Sequence, residues 1–355
     1  MTRAERLMDV KGLKADEAVI VSKPSNMLYL SGYTGEGLAL VSREVCAIVT
    51  DFRYVEQAGQ EAPSFQTLAL EGKESHLGKA YEALKRNGVK TVYFEDDELT
   101  VRAYQKAVEI FAGMELKALG GEIETLRRIK DAEELRRIEH ACKISSEAFG
   151  RVLPKIREGM TERELARILE FEMYALGAEK MGFDVIAAAG ANGSKPHAVP
   201  SDYRIQKGDM ITMDFGAKAQ GYTADMTRTV ALGEPSAEMR KVYAVVQKAQ
   251  QMSQDAVKAG ANCAAVDAIA RDYIYAQGFE GRFGHGLGHS LGIDVHEEPR
   301  LSVLSKDVLE AGQLITVEPG IYLPGVGGVR IENTVVVEPG GCRSLITPTT
   351  ELIIL

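Results

Sequence analysis

Phe283 to Pro299 reads FGHGLGHSLGIDVHEEP and holds three of the six histidines in the chain, His285, His289 and His296. Four carboxylates flank it at a distance, Asp214 and Asp225 before it and Glu318 and Glu332 after it. Histidine joined to carboxylates without a thiolate is a mixed nitrogen and oxygen donor set. It suits divalent manganese, cobalt or zinc rather than an iron–sulfur or structural zinc site. So asymmetric a cluster leaves coordination positions open for water or substrate. Of the three histidines, His289 is the expected ligand.

The carboxylates are read from their surroundings. Asp209 to Val230, DMITMDFGAKAQGYTADMTRTV, has two strand-like halves around a Gly-containing loop and predicts a hairpin. Pairing about Ala219-Gln220 would put Asp214 directly opposite Asp225, about 5 Å away on one face. Carboxylates that close repel unless a proton or a cation lies between them. Taken alone, the pair reads equally well as two solvated aspartates flanking a turn. Glu318 and Glu332 stand in apolar, strand-like stretches, where a lone carboxylate is rarely buried unless it is paired or coordinating. Singly, either reads as an edge-strand charge. Five such donors on strand-like segments together make a metal site the economical reading. His197 follows an apolar strand in Gly193-Ser194-Lys195-Pro196-His197 and alone reads as a surface histidine. His76 and His140 fall on helices and receive no role.

Bulk properties narrow the class. A chain of 355 residues predicts two domains. Apolar content of 45% with 26% charged residues describes a soluble globular protein. The net charge of −9 argues against a nucleic-acid partner. The opening MTRAERLMDVKG lacks the apolar core of a secretory signal, and no apolar run approaches the ~18 residues needed to span a bilayer. Cys46, Cys142, Cys263 and Cys342 form no CxxC pair, which fits free thiols in a reducing compartment. A cytoplasmic protein without a membrane partner is expected.

Residues 1–122 alternate strand and helix patterns. Ala18–Val21, Leu38–Val41, Val45–Val49 and Thr91–Phe94 predict strands, Ser22–Asn26 a turn, and Ser75 and Gly88 the ends of a helix. That is an α/β layer. Neither GxGxxG nor GxxxxGK[ST] accompanies it, so nucleotide binding loses its support. In residues 123–355, Asp131 with Glu134 and Thr161 with Glu164 have capping-box spacing. Leu165, Ile168, Leu169 and Met173 recur at helical intervals as a core stripe, and Gly177 ends their helix. Helices are predicted over Ser236 to about Lys258 and Ala264 to Gln277. Helices followed by strands occur twice, an α+β arrangement.

The order GSKPHA, DFG…YTADMTRT, GHGLGHSLG…VHE, VEPGIY and VRIEN resembles the pita-bread metallopeptidases, within them the prolidase and Xaa-Pro aminopeptidase (aminopeptidase P) branch. Asn26 to Gly32 and Thr50 to Tyr54 are similar to that branch's creatinase-type N-terminal domain. The resemblance implies a pita-bread catalytic domain behind a smaller α/β domain, two divalent ions (manganese first, then cobalt or zinc), short proline-containing peptides as substrates, and a homodimer. It implies that Asp214 chelates one ion, that His289 and Glu318 complete the other, and that Asp225 and Glu332 bridge both around a hydroxide nucleophile. Glu318 would be the general base. His197 and His296 would bind the substrate carbonyl and help move a proton to the leaving nitrogen. His285 would line the proline pocket, and Arg330, sharing a strand face with Glu332, would orient the site beside the substrate. Arg300 matches an arginine that holds the free carboxylate of a dipeptide in prolidases, which favours a dipeptidase over an aminopeptidase; a surface arginine after a turn explains it about as well. A methionine aminopeptidase would use the same donors but lacks such an N-terminal domain. A non-catalytic binding protein on this fold, or a creatinase-type hydrolase without metal, would be expected to lose donors, and this chain retains all five.

Overall fold

Burial on both faces makes β1 (Glu17–Val21) a central strand of the N-terminal sheet. The computed structural model describes residues 1–355, in two units, Met1–Arg127 and Arg128–Leu355. In the first, β1 pairs antiparallel with β2 (Leu38–Ser42) and parallel with β5 (Thr91–Phe94). With β3 (Cys46–Thr50), β4 (Gln66–Ala69) and β6 (Glu115–Ala118) the sheet order is β4-β3-β2-β1-β5-β6. Six helices accompany it: α1 (Arg3–Lys11), α2 (Pro24–Ser31), α3 (Val55–Glu61), α4 (His76–Arg86), α5 (Val101–Ile110) and α6 (Glu122–Arg127). Ser75 caps α4 as expected, and Gly88 follows its end at φ 71°.

The turn predicted at Ser22–Asn26 is instead the start of α2, with Pro24 in its first turn. Proline is suited to that position, because its fixed φ is helical and its missing N–H would have been unpaired. Glu95 completes the start by accepting from the backbone N–H groups of Ser22 and Lys23 and from Asn26 Nδ2.

The second unit has helices followed by strands twice over. The first set is α7 (Ala132–Val152), α8 (Glu162–Ala175), β7 (Lys180–Met181), β8 (Ile186–Ala189), β9 (Met210–Phe215), β10 (Ala217–Ala219), β11 (Tyr222–Thr223) and β12 (Met226–Ala231). Both expected capping boxes form, Asp131 with Glu134 and Thr161 with Glu164. The second set is α9 (Ala237–Ala256), α10 (Cys263–Ala276), β13 (Gly288–Ser290), β14 (Glu297–Leu301), β15 (Leu314–Val317), β16 (Gly320–Leu323), β17 (Gly327–Arg330), β18 (Asn333–Glu338) and β19 (Gly341–Ser344). Val242 and Val246 of α9 and Val266 and Ile274 of α10 form one core with Ile315, Val317, Val335 and Val337 of β15 and β18. Each such side chain contributes roughly 1.5–3 kcal/mol on burial before entropy is counted. No helix is long and apolar enough to cross a membrane.

The hairpin forms in a different register from the expected one. Asp214 pairs with Thr227, and Ala219 pairs with Tyr222. Asp225 therefore stands diagonally from Asp214 rather than opposite it. The cause is the turn: Gln220 and Gly221 both have positive φ, 52° and 78°. That two-residue geometry matches the right-handed strand twist and sets the pairing.

Candidate metal centre

Each donor sits at or beside a strand end, where the backbone is held but the side chain is free to turn inward. Asp214 is near the end of β9, Asp225 precedes β12, His289 lies in β13, Glu318 follows β15, and Glu332 joins β17 to β18. Ligating atoms of Asp225, His289 and Glu332 lie within 4.8 Å of one another. His289 Nε2 is 3.3 Å from Glu318 Oε1 and 3.7 Å from Asp225 Oδ2. Asp214 lines the same cavity, with its Oδ2 2.6 Å from Arg330 Nη2. That cavity, of about 730 Å³, is also lined by His197, His285, His296, Arg300 and Arg330.

Two backbone contacts fix His289. Its Nδ1–H donates to the Ser290 carbonyl at 3.0 Å, because a carbonyl can only accept. Nε2 is thereby left facing the carboxylates. Thr316 Oγ1 accepts from the His289 N–H and donates to Glu318 Oε1, so one hydroxyl registers both residues. Gly288 permits this approach of β13 to β15: a Cβ there would stand 1.9 Å from the Thr316 carbonyl oxygen.

The electrostatics are those of a crowded anionic site. Burial raises Asp225 well above the usual carboxylate range, and the charges of Glu332, Asp214 and Glu318 add to it. Glu332 is raised likewise, by burial first and then by Glu318 and Asp214. Burial also raises Asp214, against the opposing charge of Arg330. For Glu318 burial is outweighed by His289, whose hydrogen bond and charge hold the carboxyl low. Glu318 in return raises His289 against its own burial. Asp214 Oδ1 and Glu332 Oε1 are buried with no hydrogen-bond partner. A buried polar atom left unsatisfied costs roughly 1–3 kcal/mol. Divalent cations among these oxygens would relieve both the repulsion and the missing bonds, so the donor set fits a divalent metal.

Residues 136–339 match the Metallopeptidase family M24, and residues 1–129 match the Creatinase/Prolidase N-terminal domain. The chain belongs to metallopeptidase family M24. This M24 chain is 35% identical to the Xaa-Pro dipeptidase of Pyrococcus furiosus, over 99% of each chain. Its structure is similar to an Xaa-Pro dipeptidase from Bacillus anthracis (TM-score 0.95, 38% identity, 99% of each chain). It is also similar to an X-Pro aminopeptidase from Thermotoga maritima (TM-score 0.93, 34% identity, 99% of this chain and 100% of that one). The C-terminal unit is thus an M24 pita-bread domain, and the N-terminal unit that precedes it in sequence is a creatinase-type domain.

The other expected site residues of this M24 chain take definite positions. His285 Nδ1–H donates to the Gly286 carbonyl at 2.8 Å, which leaves Nε2 to accept from the Tyr322 hydroxyl at 2.8 Å, and burial lowers its pKa. His296 packs edge-on to His289 with ring centroids 4.5 Å apart, and burial lowers it as well. His197 is exposed on the cavity wall. Arg300 pairs with His289 across β13 and β14. The expectation that Arg330 and Glu332 share a strand face is corrected, because β17 ends at Arg330. Thr227 joins them instead: its hydroxyl donates to Glu332 Oε2 at 2.8 Å and accepts from Arg330 Nε at 3.2 Å.

Several supports of the M24 site were not visible in its motifs. Tyr322 accepts from Arg330 Nη1 at 2.9 Å. Asp267 on α10 is fully buried, accepts from the Leu287 N–H, and is paired with Arg271. Arg271 donates to the carbonyls of Phe283 and His285. The only signal in sequence was their i, i+4 spacing, which reads equally well as a surface pair. Gly288→Ala should force β13 from β15 and weaken metal binding by about 10–100-fold, the range for losing a ligand's orienting partners. Calorimetric titration with manganese measures this, with circular dichroism as the folding control; unchanged affinity would show that the close approach is not needed.

Proposed function

We propose that the chain is an Xaa-Pro dipeptidase that hydrolyses the bond preceding a C-terminal proline. It would use two divalent ions, manganese first, with Asp225 and Glu332 shared between them, Asp214 on one and His289 and Glu318 on the other. The observation that carries this reading is the convergence of these donors on one cavity with two partnerless carboxylate oxygens. When bound, the ions supply an acidified water and an electrophile for the scissile carbonyl.

The remaining steps belong to side chains of the protein. Glu318, the carboxylate held low by His289, accepts a proton at its carboxylate oxygen. His296 and His197 would bind the carbonyl oxygen as charge develops on it and help pass the proton taken up by Glu318 on to the leaving proline nitrogen. That nitrogen carries no N–H in the substrate, so no step depends on gripping one. His285, against Tyr322 and edge-on to Phe283, presents an apolar wall to the proline ring. Arg330 holds Asp214 in place. Arg300, across the strand pair from His289, would receive the substrate carboxylate bidentately.

One observation favours the aminopeptidase alternative: Arg300 is exposed and its Nε already donates to Glu298 Oε1 at 3.3 Å. A hydrolysis panel with manganese, cobalt and zinc separates the two. The dipeptidase reading expects cleavage of Ala-Pro, and neither Ala-Pro-Ala nor Met-Ala-Ala; cleavage of Ala-Pro-Ala assigns the aminopeptidase. Arg300→Ala should raise KM for Ala-Pro about 10–100-fold, the ~1.5–3 kcal/mol of a charged hydrogen-bonded pair, with kcat nearly kept. An unchanged KM would remove the clamp. The proposal includes a homodimer in the cytoplasm; four cysteines without a disulfide support the compartment.

A further inference from the structure

Both ends of the segment bearing His197 are tied to one buried carboxylate. Glu162 is the first residue of α8, a position that usually faces water, yet it is fully buried. One oxygen, Oε1, accepts from the backbone N–H of Ala189 at the end of β8, at 2.7 Å. The other, Oε2, accepts from Asn192 Nδ2 at 2.8 Å and from Ser201 twice, through its N–H at 2.8 Å and its hydroxyl at 2.6 Å. The helix does not need Glu162 as a cap, since Thr161 and Glu164 already form the capping box. Between the two anchors, Pro196, His197, Ala198, Val199 and Pro200 line the cavity. Inside that span Arg330, which holds Asp214, also donates to the Pro196 carbonyl at 3.2 Å. His197 itself is exposed, so its place on the cavity wall is set mainly by its backbone.

We infer that Glu162 is a positioning residue, which fixes His197 at the reacting carbonyl by clamping both ends of residues 189–201. This rests on the reading in which His197 contacts substrate. A charged acceptor shared by four donors makes a stiff clamp, and a misplacement of about 1 Å near the reacting atoms can cost about 100-fold in rate. An amide in its place must turn an NH₂ towards N–H or hydroxyl donors.

A double-mutant cycle on Ala-Pro hydrolysis tests the inference, with kcat and KM measured at saturating manganese and melting temperature recorded beside them. Glu162→Gln should lower kcat about 10–100-fold with KM little changed, and should slow the His197→Ala enzyme no further. A carboxylate that only stabilised the fold would lower the melting temperature, and the two kinetic losses would multiply; that result overturns the inference. If Glu162→Gln does not fold, Ser201→Ala removes one clamp bond and should show a smaller kcat loss that likewise vanishes beside His197→Ala. Should His197→Ala keep full kcat, the assigned role of His197 fails and the inference with it. Should His197→Ala be slow and the losses multiply, the inference alone fails.

Discussion

Asp225→Asn should lower kcat by about 10³-fold or more, because in the proposed centre its carboxylate would be shared by the ions and supply charge that an amide cannot. Asp225 is 5% exposed, and its oxygen shares a 4.8 Å cluster with His289 and Glu332. Asparagine keeps the shape, so the fold should survive. Its effect on the metal-free protein should have the opposite sign to its effect on activity. Removing one of several mutually repelling buried carboxylates relieves the crowding that raises Asp225 and Glu332. The variant is therefore expected to melt no lower than wild type without metal, and to gain less from added manganese. Full activity in Asp225→Asn would refute the bridging assignment.

Arg330→Met should be the most damaging change outside the donor set. Arg330 is 3% exposed, and its guanidinium reaches Asp214, Tyr322, Thr227 and the Pro196 carbonyl. Removing one partner of a buried ion pair costs about 3–5 kcal/mol, because the other charge is left buried and uncompensated. Manganese placed beside Asp214 would supply part of the missing positive charge. Urea unfolding should therefore show a larger loss in chelator-treated protein than in metal-loaded protein. Equal losses in the two states would mean that Asp214 does not face a cation.

The candidate donors are legible in sequence only as a set: alone, Asp214 and Asp225 read as solvated turn aspartates and Glu318 and Glu332 as edge-strand charges, and it is the five together that point to a metal. Helix starts at Asp131 and Thr161 are legible singly, since a capping box is complete within four residues. The hairpin register is not, because the positive φ of Gln220 is unusual for glutamine and only Gly221 hints at the turn. Thr227, Tyr322, Asp267 and Arg271 are not legible in sequence, because their importance lies in contacts between distant segments. Thr227, for example, looks like any β-branched strand residue until β12 brings it between Arg330 and Glu332.

The most direct measurement is titration of chelator-treated protein with manganese, with bound metal counted per chain. Two equivalents should bind in wild type, and Asp214→Asn, which in the proposed centre removes a donor to one ion only, should leave one bound tightly. A wild-type chain that takes up no metal, or whose uptake is the same after Asp225, His289 and Glu332 are each replaced, would contradict the dinuclear centre.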